Sequence, residues 1–408
     1  MQRYDTYKDS GVKWLGEIPS HWEMIKSKYL WKESFSISEN GNEELLSVSQ
    51  YDGITPAKGD SRSESLKGYK IVSENDLVIN IMLAWMGGLG VSKYDGIVSP
   101  AYCVYKLTKD SNPKYLHYLY KTPLYLAEFA RHSTGVIPSR WRMYTDDFGQ
   151  VVSLLPPRKE QDAIVEYLDE KMAKIDAAIA QQQKMIDLLN ERKQIIINRA
   201  VTKGLNPNAK MKDSGVEWIG EVPEHWKLLP YRYLFYNLDK LRMPITADQR
   251  SRNNPQYDYY GASGVIDKID YYNVDDKVLL IGEDGANLLM RNLPIIYKAE
   301  GKFWVNNHAH ILKPIRDDYD YLAYVMEAAD YTLFITGSAQ PKLSQANLNC
   351  VKLPIPPLEE QKAIVDYLSK RTSKIDEAIK ESNNMISLLQ ERKQIIINEA
   401  VTGKVRVE

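Results

Sequence analysis

The sequence predicts a mixed α/β (α+β) chain in which one structural unit occurs twice, related by pseudo-two-fold symmetry. Three observations lead to this prediction: two segments that recur about 200 residues later, a long helical pattern in one of them, and strand-like runs between them. Residues 156–202 recur as 356–402 with 29 of 47 positions identical. Residues 9–22 recur as 213–226 with 10 of 14 positions identical. We therefore expect a tandem duplication.

The 156–202 repeat has the apolar spacing of a long helix with one narrow seam. A helix of about 40 residues would be roughly 60 Å long, too long for one ordinary domain to cover. We therefore expect the two copies to pair as antiparallel coiled-coil helices, with polar Gln182 and Ser382 fixing the register. The seam positions are Ile164, Leu168, Ile175, Ile179, Ile186, Leu189 and Ile196 in the first copy and Ile364, Leu368, Ile375, Ile379, Ile386, Leu389 and Ile396 in the second.

Proline and glycine mark where these helices begin and end. Pro156 and Pro157 disfavour helix before them and suit a first turn, while Gly204 and Gly403 follow the last turns. The domains expected are residues 1–155, 156–203, 204–355 and 356–408. The short repeats at 9–22 and 213–226, which we call the heads, should be compact extended elements with tryptophans as packing anchors.

Two segments of similar length but different sequence lie between head and helix, at residues 23–155 and 227–355. Apolar runs rich in β-branched and aromatic residues predict strands in 74–82, 97–107, 275–282 and 304–314. Residues 112–131 and 317–335 predict a helix after an N-cap in each segment. Each segment is therefore expected to be a mixed α/β domain.

Composition excludes several classes of protein. Charged residues make up 26% and hydrophobic residues 44% of the 408 residues, with a formal net charge of -1, so the chain is neither disordered nor polybasic. Cys103 and Cys350 lie in apolar sequence, which predicts buried, reduced thiols. Without an apolar signal or spanning segment, we expect a soluble cytoplasmic protein that does not contact a membrane.

The motifs of catalytic sites are missing. The sequence has no GxxxxGK[ST] phosphate loop and no Asn-Pro-Pro-aromatic element. Asn306, Asn307, His308 and His310 could suggest a metal site, but they alternate on a predicted strand with no acidic or cysteine partner nearby. A polar or hydrogen-bonding surface is the favoured interpretation. We expect no catalytic site and no bound metal.

Several stretches together resemble one known family. They are the heads DSGVKWLGEIPSHW and DSGVEWIGEVPEHW, the helix starts LPPRKEQDAIVEYLD and IPPLEEQKAIVDYLS, the helix ends ERKQIIIN, and WMGGLGVSKYDGIVSPAY at 85–102. These look like the specificity subunit of type I DNA restriction-modification enzymes, over essentially the whole chain.

This resemblance implies a function. Residues 23–155 and 227–355 would be target-recognition domains, each reading one half of a split sequence in double-stranded DNA. The paired helices would set the spacing and dock two methyltransferase subunits, with restriction subunits joining the complex. S-adenosylmethionine and ATP would bind only to those partner subunits, and this chain would be non-catalytic.

Neither recognition segment is basic, since each contains 15 Lys and Arg against 15 Asp and Glu. DNA binding would therefore need positive charge gathered on one face. Arginine suits guanine, Asn or Gln suits adenine, and lysine more often holds phosphate. The two loops that run from Gly to Pro ahead of each long helix are the strongest candidates. The candidate residues are Lys58, Arg62, Lys67, Arg140, Trp141 and Arg142 in the first segment and Arg250, Arg252, Asn253, Asn254, Asn307, His308, Gln340 and Lys342 in the second.

A second hypothesis is a non-catalytic protein-binding adaptor with two divergent interaction domains. Neutral charge and 28 tyrosines would suit such an adaptor equally well. Binding to duplex DNA that weakens steeply with salt separates the two hypotheses, because an adaptor would show none.

Overall fold

The computed structural model describes residues 2–50, 53–58, 65–137, 140–247, 250, 255–284, 286–337 and 341–407. The chain forms two compact units: unit 1 is Met1–Gln183 with Asn383–Glu408, and unit 2 is Lys184–Ser382. Two long helices, α4 (Arg158–Lys203) and α8 (Leu358–Val401), contribute to both. Each unit therefore contains the beginning of one long helix and the end of the other. Within the described parts of the chain, no helix has the length and apolar character needed to cross a bilayer.

Unit 1 is an α+β domain with a small antiparallel sheet. Its helices before α4 are α1 (Pro113–Tyr120), α2 (Pro123–Arg131) and α3 (Thr145–Gln150). Its strands are β1 (Tyr7–Asp9), β2 (Glu17–Pro19), β3 (Glu23–Lys26), β4 (Trp31–Ser34), β5 (Leu46–Ser49), β6 (Gly53–Pro56), β7 (Lys70–Val72), β8 (Leu77–Asn80), β9 (Leu89–Val91), β10 (Gly96–Val98), β11 (Tyr102–Leu107) and β12 (Val152–Leu155). The main sheet has the order β4-β11-β8-β9, and β1-β2, β5-β6, β7-β10 and β3-β12 pair beside it.

Unit 2 keeps this plan with a larger sheet. Its helices before α8 are α5 (Ala286–Met290), α6 (Tyr319–Ala328) and α7 (Gln345–Leu348). Its strands are β13 (Met211–Asp213), β14 (Glu221–Pro223), β15 (Lys227–Pro230), β16 (Phe235–Asn237), β17 (Tyr257–Gly261), β18 (Gly264–Ile269), β19 (Val274–Gly282), β20 (Ile296–Val305), β21 (Ala309–Pro314), β22 (Ile335–Thr336), β23 (Lys342–Leu343) and β24 (Lys352–Ile355). The main sheet has the order β16-β21-β19-β20-β17-β18, with β13-β14, β15-β24 and β22-β23 as separate pairs.

The helices predicted ahead of the long helices are shorter than expected. Residues 112–131 form two helices because Pro123 starts a new one, with Thr122 as its N-cap. Residues 317–335 form α6 only as far as Ala328, because the backbone of Ala329 is extended (φ −65°, ψ 143°). A short 3-10 turn follows at Thr332–Phe334. Local turn chemistry thus interrupted an apolar pattern that was otherwise helical.

Each unit contains an antiparallel helix pair at its core. In unit 1, Ile164 and Leu168 near the start of α4 share a buried cluster with Val401 at the end of α8. In unit 2, Leu368 near the start of α8 shares a cluster with Val201 at the end of α4. An ion pair joins the helices at equivalent places, Lys393 to Asp176 in unit 1 and Lys193 to Asp376 in unit 2, at 2.6 Å in both.

The seam positions lie at different depths. Ile164, Leu168, Ile175, Ile186, Ile364, Leu368 and Ile375 are buried, and Ile179, Leu189, Ile196, Ile379, Ile386, Leu389 and Ile396 are half-buried. The buried set also includes Ile197 and Ile397, one residue beyond the predicted seam, because an ideal helix drifts relative to a 3.5-residue repeat. Polar Ser382 is buried and Gln182 is half-buried.

Each head fastens onto the start of the long helix in its unit. Trp22 is buried and its Nε1 donates to Glu160 Oε1 at 3.0 Å, while the Nε1 of buried Trp226 donates to Glu360 Oε2 at 2.8 Å. The heads form the hairpins β1-β2 and β13-β14, as the sequence predicted. The prediction of two buried thiols was wrong: Cys103 is half-buried and Cys350, in a turn after α7, is exposed. Short apolar runs do not distinguish a strand from the turn next to it.

Candidate nucleic-acid interface

In unit 2, the candidate residues of the Gly-to-Pro loop lie beside the end of β19. The loop begins and ends with β22 and β23, where Thr336 pairs with Lys342. The backbone N–H of Leu343 donates to the carbonyl oxygen of Glu283 at 2.8 Å, one residue beyond β19. Lys342 Nζ lies 3.5 Å from Glu283 Oε1. The base of the loop is therefore fixed to the central strand of the sheet.

Arg242 joins this cluster from the other side. Its Nη1 donates to Glu283 Oε2 at 2.6 Å and to the backbone oxygen of Asn307 at 3.2 Å. Burial acts to raise the pKa of Glu283, but the hydrogen bond and charge of Arg242 outweigh it, so this pKa is lowered. Glu283 therefore stays ionised and holds Arg242 and Lys342 near one another.

A buried histidine fixes the same end of the sheet. His310 Nδ1 lies 2.6 Å from Asp239 Oδ2, and His310 Nε2 lies 2.8 Å from the carbonyl oxygen of Leu343. A doubly protonated ring satisfies both acceptors. Burial acts to raise the pKa of Asp239, yet the hydrogen bond and charge of His310 lower it overall. His310 is thus a structural anchor between the 239 turn and the Gly-to-Pro loop.

Asn307 and His308 lie in the turn between β20 and β21, not on a strand as predicted. Asn307 is exposed, and the backbone N–H of His308 donates to Asn306 Oδ1 at 2.8 Å. His308 Nδ1 lies 2.9 Å from Asp284 Oδ2. The expectation that no acidic partner lies near these histidines was wrong, since the fold brings Asp239 and Asp284 to them from distant parts of the sequence. Among the described residues, no group of three or more His, Cys, Asp or Glu has a metal-binding arrangement.

Arg250 lies against the β17-β18 hairpin. Its guanidinium carbon is 4.5 Å from the centre of the Tyr259 ring, and its Nη1 is 3.4 Å from Asp267 Oδ2. This side chain is held by the protein and is largely covered. Arg252, Asn253, Asn254 and Gln340, the other candidates of unit 2, lie outside the described residues.

In unit 1, the corresponding Gly-to-Pro loop is closed at its base by a backbone bridge between Thr134 and Arg142. The backbone N–H of Met143 donates to the carbonyl oxygen of Ile81 at 3.0 Å. The ring of Trp141 packs edge-on against Trp85, with centroids 5.3 Å apart. Arg140 is exposed near the tip of the loop. Trp141 therefore packs against Trp85 and supports the loop, whereas the exposed side chain of Arg140 can contact a ligand.

The remaining candidates of unit 1 lie elsewhere in its sequence and fold. Lys58 follows β6 and Lys67 precedes β7, and both are exposed. The backbone of Lys67 packs closely against Gly41, whose φ of 71° and lack of Cβ permit the approach. Arg62 lies outside the described residues.

The two loops occupy equivalent positions. In each unit, a threonine pairs with a basic residue to close the loop. The residue after that basic residue donates its backbone N–H to the carbonyl oxygen just beyond the end of β8 in unit 1 or β19 in unit 2. Sequence analysis missed Asp239, Arg242 and Glu283 as parts of this surface. Only the order of strands in the folded sheet brings them to residues 307 and 342, so no local pattern could have identified them.

Comparison with known proteins agrees with this geometry. Residues 235–387 match the family model described as the type I restriction modification DNA specificity domain. The type I restriction enzyme MjaVIII specificity subunit of Methanocaldococcus jannaschii is 24% identical over 98% of this chain and 97% of its own length. The type I restriction enzyme EcoprrI specificity subunit of Escherichia coli is 27% identical over 32% of each chain.

A solved structure shares the fold. It comes from work on complex assembly and conformational transition of the type I R-M system, and it superposes with a TM-score of 0.69 at 13% identity. The superposition covers 95% of this chain and 99% of that one.

Two α+β domains of unlike sequence, each packed on a similar pair of long helices, define a tandem-repeat protein. Over nearly its whole length the chain is similar to specificity subunits of type I restriction enzymes, and residues 235–387 match their DNA specificity domain.

Proposed function

We propose that each unit reads one half of a bipartite target in double-stranded DNA, with the two Gly-to-Pro loops as equivalent reading elements. The observation that carries this proposal is the shared base of the loops, Thr134 with Arg142 and Thr336 with Lys342, beneath different loop sequences. The equivalent closing pair holds each loop in the same position in its unit. A different sequence at the loop tip can then change which nucleotide the loop prefers. Arginine in the first loop suits guanine, and lysine in the second suits phosphate or guanine.

The long helices supply the docking surface for the methyltransferase. Outside the buried seam, each helix has a stripe of exposed apolar side chains at helical spacing, each between 46% and 59% exposed: Met185, Leu188 and Ile195 on α4 and Met385, Leu388 and Ile395 on α8. Exposed apolar rows of this kind mark protein-protein contacts. Because the same stripe occurs once in each unit, a partner that binds it should be present twice.

This assignment places the chemistry on the partners. The methyltransferase subunits bind S-adenosylmethionine, the restriction subunits join the complex and use ATP, and the helix pair sets the gap between the two half-sites. The neutral balance of charge in each recognition domain fits a protein that binds DNA as part of a larger complex rather than alone.

Methylation mapping with the partner methyltransferase tests the reading role. The wild-type complex should methylate a two-part motif with a fixed gap. Arg140→Ala should relax the preference or weaken binding in one half only, and Gln340→Ala in the other half only, each by about 1–3 kcal/mol. Each variant is the matched control for the other. If both variants changed the same half, or neither, the loops would not be the reading elements.

The docking role needs a separate test. Leu188→Glu together with Leu388→Glu puts charge into both exposed stripes without touching the buried seam, so the chain should fold while methyltransferase assembly is lost. Size-exclusion chromatography coupled to light scattering measures this. Lys174→Glu, an exposed position on α4 outside the stripe, is the control and should assemble normally. Normal assembly of the Leu188/Leu388 variant would place the methyltransferase elsewhere.

A further inference from the structure

The β17-β18 hairpin of unit 2 presents two apolar side chains to solvent at its tip, which we define as residues 261–266. The pairing register shifts between Tyr259 and Tyr260, so that Ile266 has no residue opposite it on β17. This β-bulge re-aims the neighbouring side chains. Val265 is 48% exposed and Ile266 is 49% exposed. Because this β-bulge exposes apolar side chains to water, it does not contribute to the packing of the hydrophobic core.

The tip is rigidly placed. Gly264 has a φ of 91°, in the left-handed region, and a Cβ there would lie 2.5 Å from Cε1 of the Tyr297 ring. Gly282, the last residue of β19, approaches the tip so closely that a Cβ on it would lie 2.7 Å from the carbonyl oxygen of Ala262. Any other residue at either position would displace the tip. The exposed pair is therefore held in one position relative to the end of the sheet.

This position adjoins the candidate interface of unit 2. A Cβ built on Gly261 would lie 3.0 Å from Ile266 Cδ1 and 3.3 Å from Asn306 Nδ2, so the side chains of Ile266 and Asn306 both lie next to Gly261. Asn306 Oδ1 in turn accepts the N–H of His308. On the other side, Arg250 packs on Tyr259 of the same hairpin. The apolar tip thus lies between two groups of polar candidate residues.

The polar neighbours of the tip have unused hydrogen-bonding capacity. Asp284 Oδ1 is a buried atom that makes no hydrogen bond with any described residue, while Asp284 Oδ2 lies 2.9 Å from His308 Nδ1. Buried polar atoms without partners are uncommon in folded proteins, and a carboxylate oxygen in this state can accept a hydrogen bond from a ligand. A ligand that fits here has hydrogen-bonding edges beside an apolar group. A DNA base edge in the major groove, where the thymine 5-methyl group projects beside donors and acceptors, has that chemistry.

We propose that the hairpin tip is a specificity element in which Ile266, supported by Val265, contacts a thymine 5-methyl group in the half-site read by unit 2. This inference rests on the proposed function, because it requires unit 2 to read DNA. Among the described residues, unit 1 has no counterpart, since its sheet ends at β9 where the sheet of unit 2 continues into β17 and β18. The two recognition domains therefore read their half-sites with different devices.

The test uses the assembled complex and duplexes that contain its mapped motif. Replacing each thymidine of the second half-site by deoxyuridine removes only the 5-methyl group. For the wild-type complex, one such replacement should weaken binding about fourfold, the value of one buried methyl group. For Ile266→Ser, the same duplex should bind no more weakly than the unmodified one. Ile315→Ser removes an equally apolar, 39% exposed side chain just beyond the opposite end of β21, and it should behave as the wild type.

Three outcomes would overturn the proposal: no deoxyuridine effect in the wild-type complex, an undiminished effect in Ile266→Ser, or loss of methyltransferase assembly in Ile266→Ser, which would make the tip a protein contact. The proposed function fails in a distinguishable way, because a wild-type complex without a bipartite motif would leave no second half-site to modify. Circular dichroism of Ile266→Ser verifies that the fold is intact, and Ile266→Val, which keeps a shorter apolar side chain, should retain part of the deoxyuridine effect.

Discussion

The two units of this chain use the same contacts where each recognition domain meets its helix pair and differ where the sheet extends away from it. Tyr115 Oη donates to the carbonyl oxygen of Val401 at 3.1 Å in unit 1, and Tyr321 Oη lies 3.4 Å from that of Val201 in unit 2. Buried Gln161 and Gln361 each donate to a proline carbonyl five residues earlier. Both glutamines also accept a backbone N–H from the N-cap residue of a helix, Asn112 before α1 or Asp318 before α6.

The sheets and their hairpins are unlike. Unit 1 has four strands in its main sheet and unit 2 has six. Equivalent helices of the two units also differ: counted from the N-cap, half-buried His117 of α1 stands where α6 has buried Ala323. The comparison teaches that the helix-facing contacts restrict the sequence, whereas a surface that reads a different ligand in each unit is free to diverge.

The largest expected effect comes from removing one unit's own helix partner. A fragment of residues 1–207 lacks the end of α8 that packs on the start of α4. Its own residues 191–198 are identical to 391–398, so a second copy can supply the missing partner. We expect an isologous dimer by light scattering, and with the methyltransferase an inverted repeat of the first half-site. A stable monomer, or a motif that still contains the second half-site, would contradict this.

A charged residue in one helix core should unfold one unit before the other. Leu168 and Leu368 are fully buried in the cores of unit 1 and unit 2, respectively. Aspartate at either position should cost more than about 4 kcal/mol, because a charge would be buried without a partner. Hydrogen exchange of Leu168→Asp should show lost protection in unit 1 first, and that of Leu368→Asp in unit 2 first. Equal loss in both units for either variant would mean that the units unfold together.

Acid should destabilise unit 1 through His117. Burial, with the charge of nearby Lys121, lowers the pKa of His117 to about 4, and its Nδ1 accepts the N–H of Val91 at 3.1 Å. The unfolded chain binds this proton at a pH near 6.5, so the contribution to stability is complete above 6.5 and is lost as pH falls toward 4. The expected loss is up to about 3 kcal/mol.

His117→Asn keeps an acceptor but does not titrate. Between pH 7 and pH 4.5, its melting temperature should therefore fall less than that of the wild type. The corresponding position in unit 2 is Ala323, so hydrogen exchange of α6 should show no such difference between the two proteins. An identical pH response of both proteins would remove His117 as the cause.

The smallest effect concerns the glutamines that join each domain to its helix. Gln161→Ala leaves the Asn112 N–H and the Ser111 hydroxyl without their acceptor, and Gln361→Ala leaves the Asp318 N–H without one. Each should cost about 1–3 kcal/mol in denaturant unfolding. The two losses should be alike, because the contact is alike. If only one variant lost stability, the same hydrogen-bond geometry would not contribute the same free energy of unfolding in the two units.

The sequence by itself determined the duplication, the helix pair and the resemblance to type I specificity subunits. These depend on repeats and on helical spacing, which are local properties of the chain: Ile164 and Leu168 are spaced as a helix seam requires, and Pro156 and Pro157 disfavour helix before them. The head tryptophans and the equivalence of the two Gly-to-Pro loops were accessible for the same reason. The break at Pro123 was visible in the sequence too, but an apolar pattern that continued through it concealed the boundary.

Only the tertiary structure decided which side chains lie together at the candidate interface of unit 2. Asp239 and Arg242 lie in one turn, whereas Glu283, His308 and Lys342 come from three distant parts of the sequence, and they meet because β16, β21 and β19 are neighbours in one sheet. The exposure of Ile266 depends on a register shift in β18, which one residue more or fewer would abolish. Strand order and register are set by packing across the whole domain, and a free energy summed over many distant contacts leaves no signature at any single position.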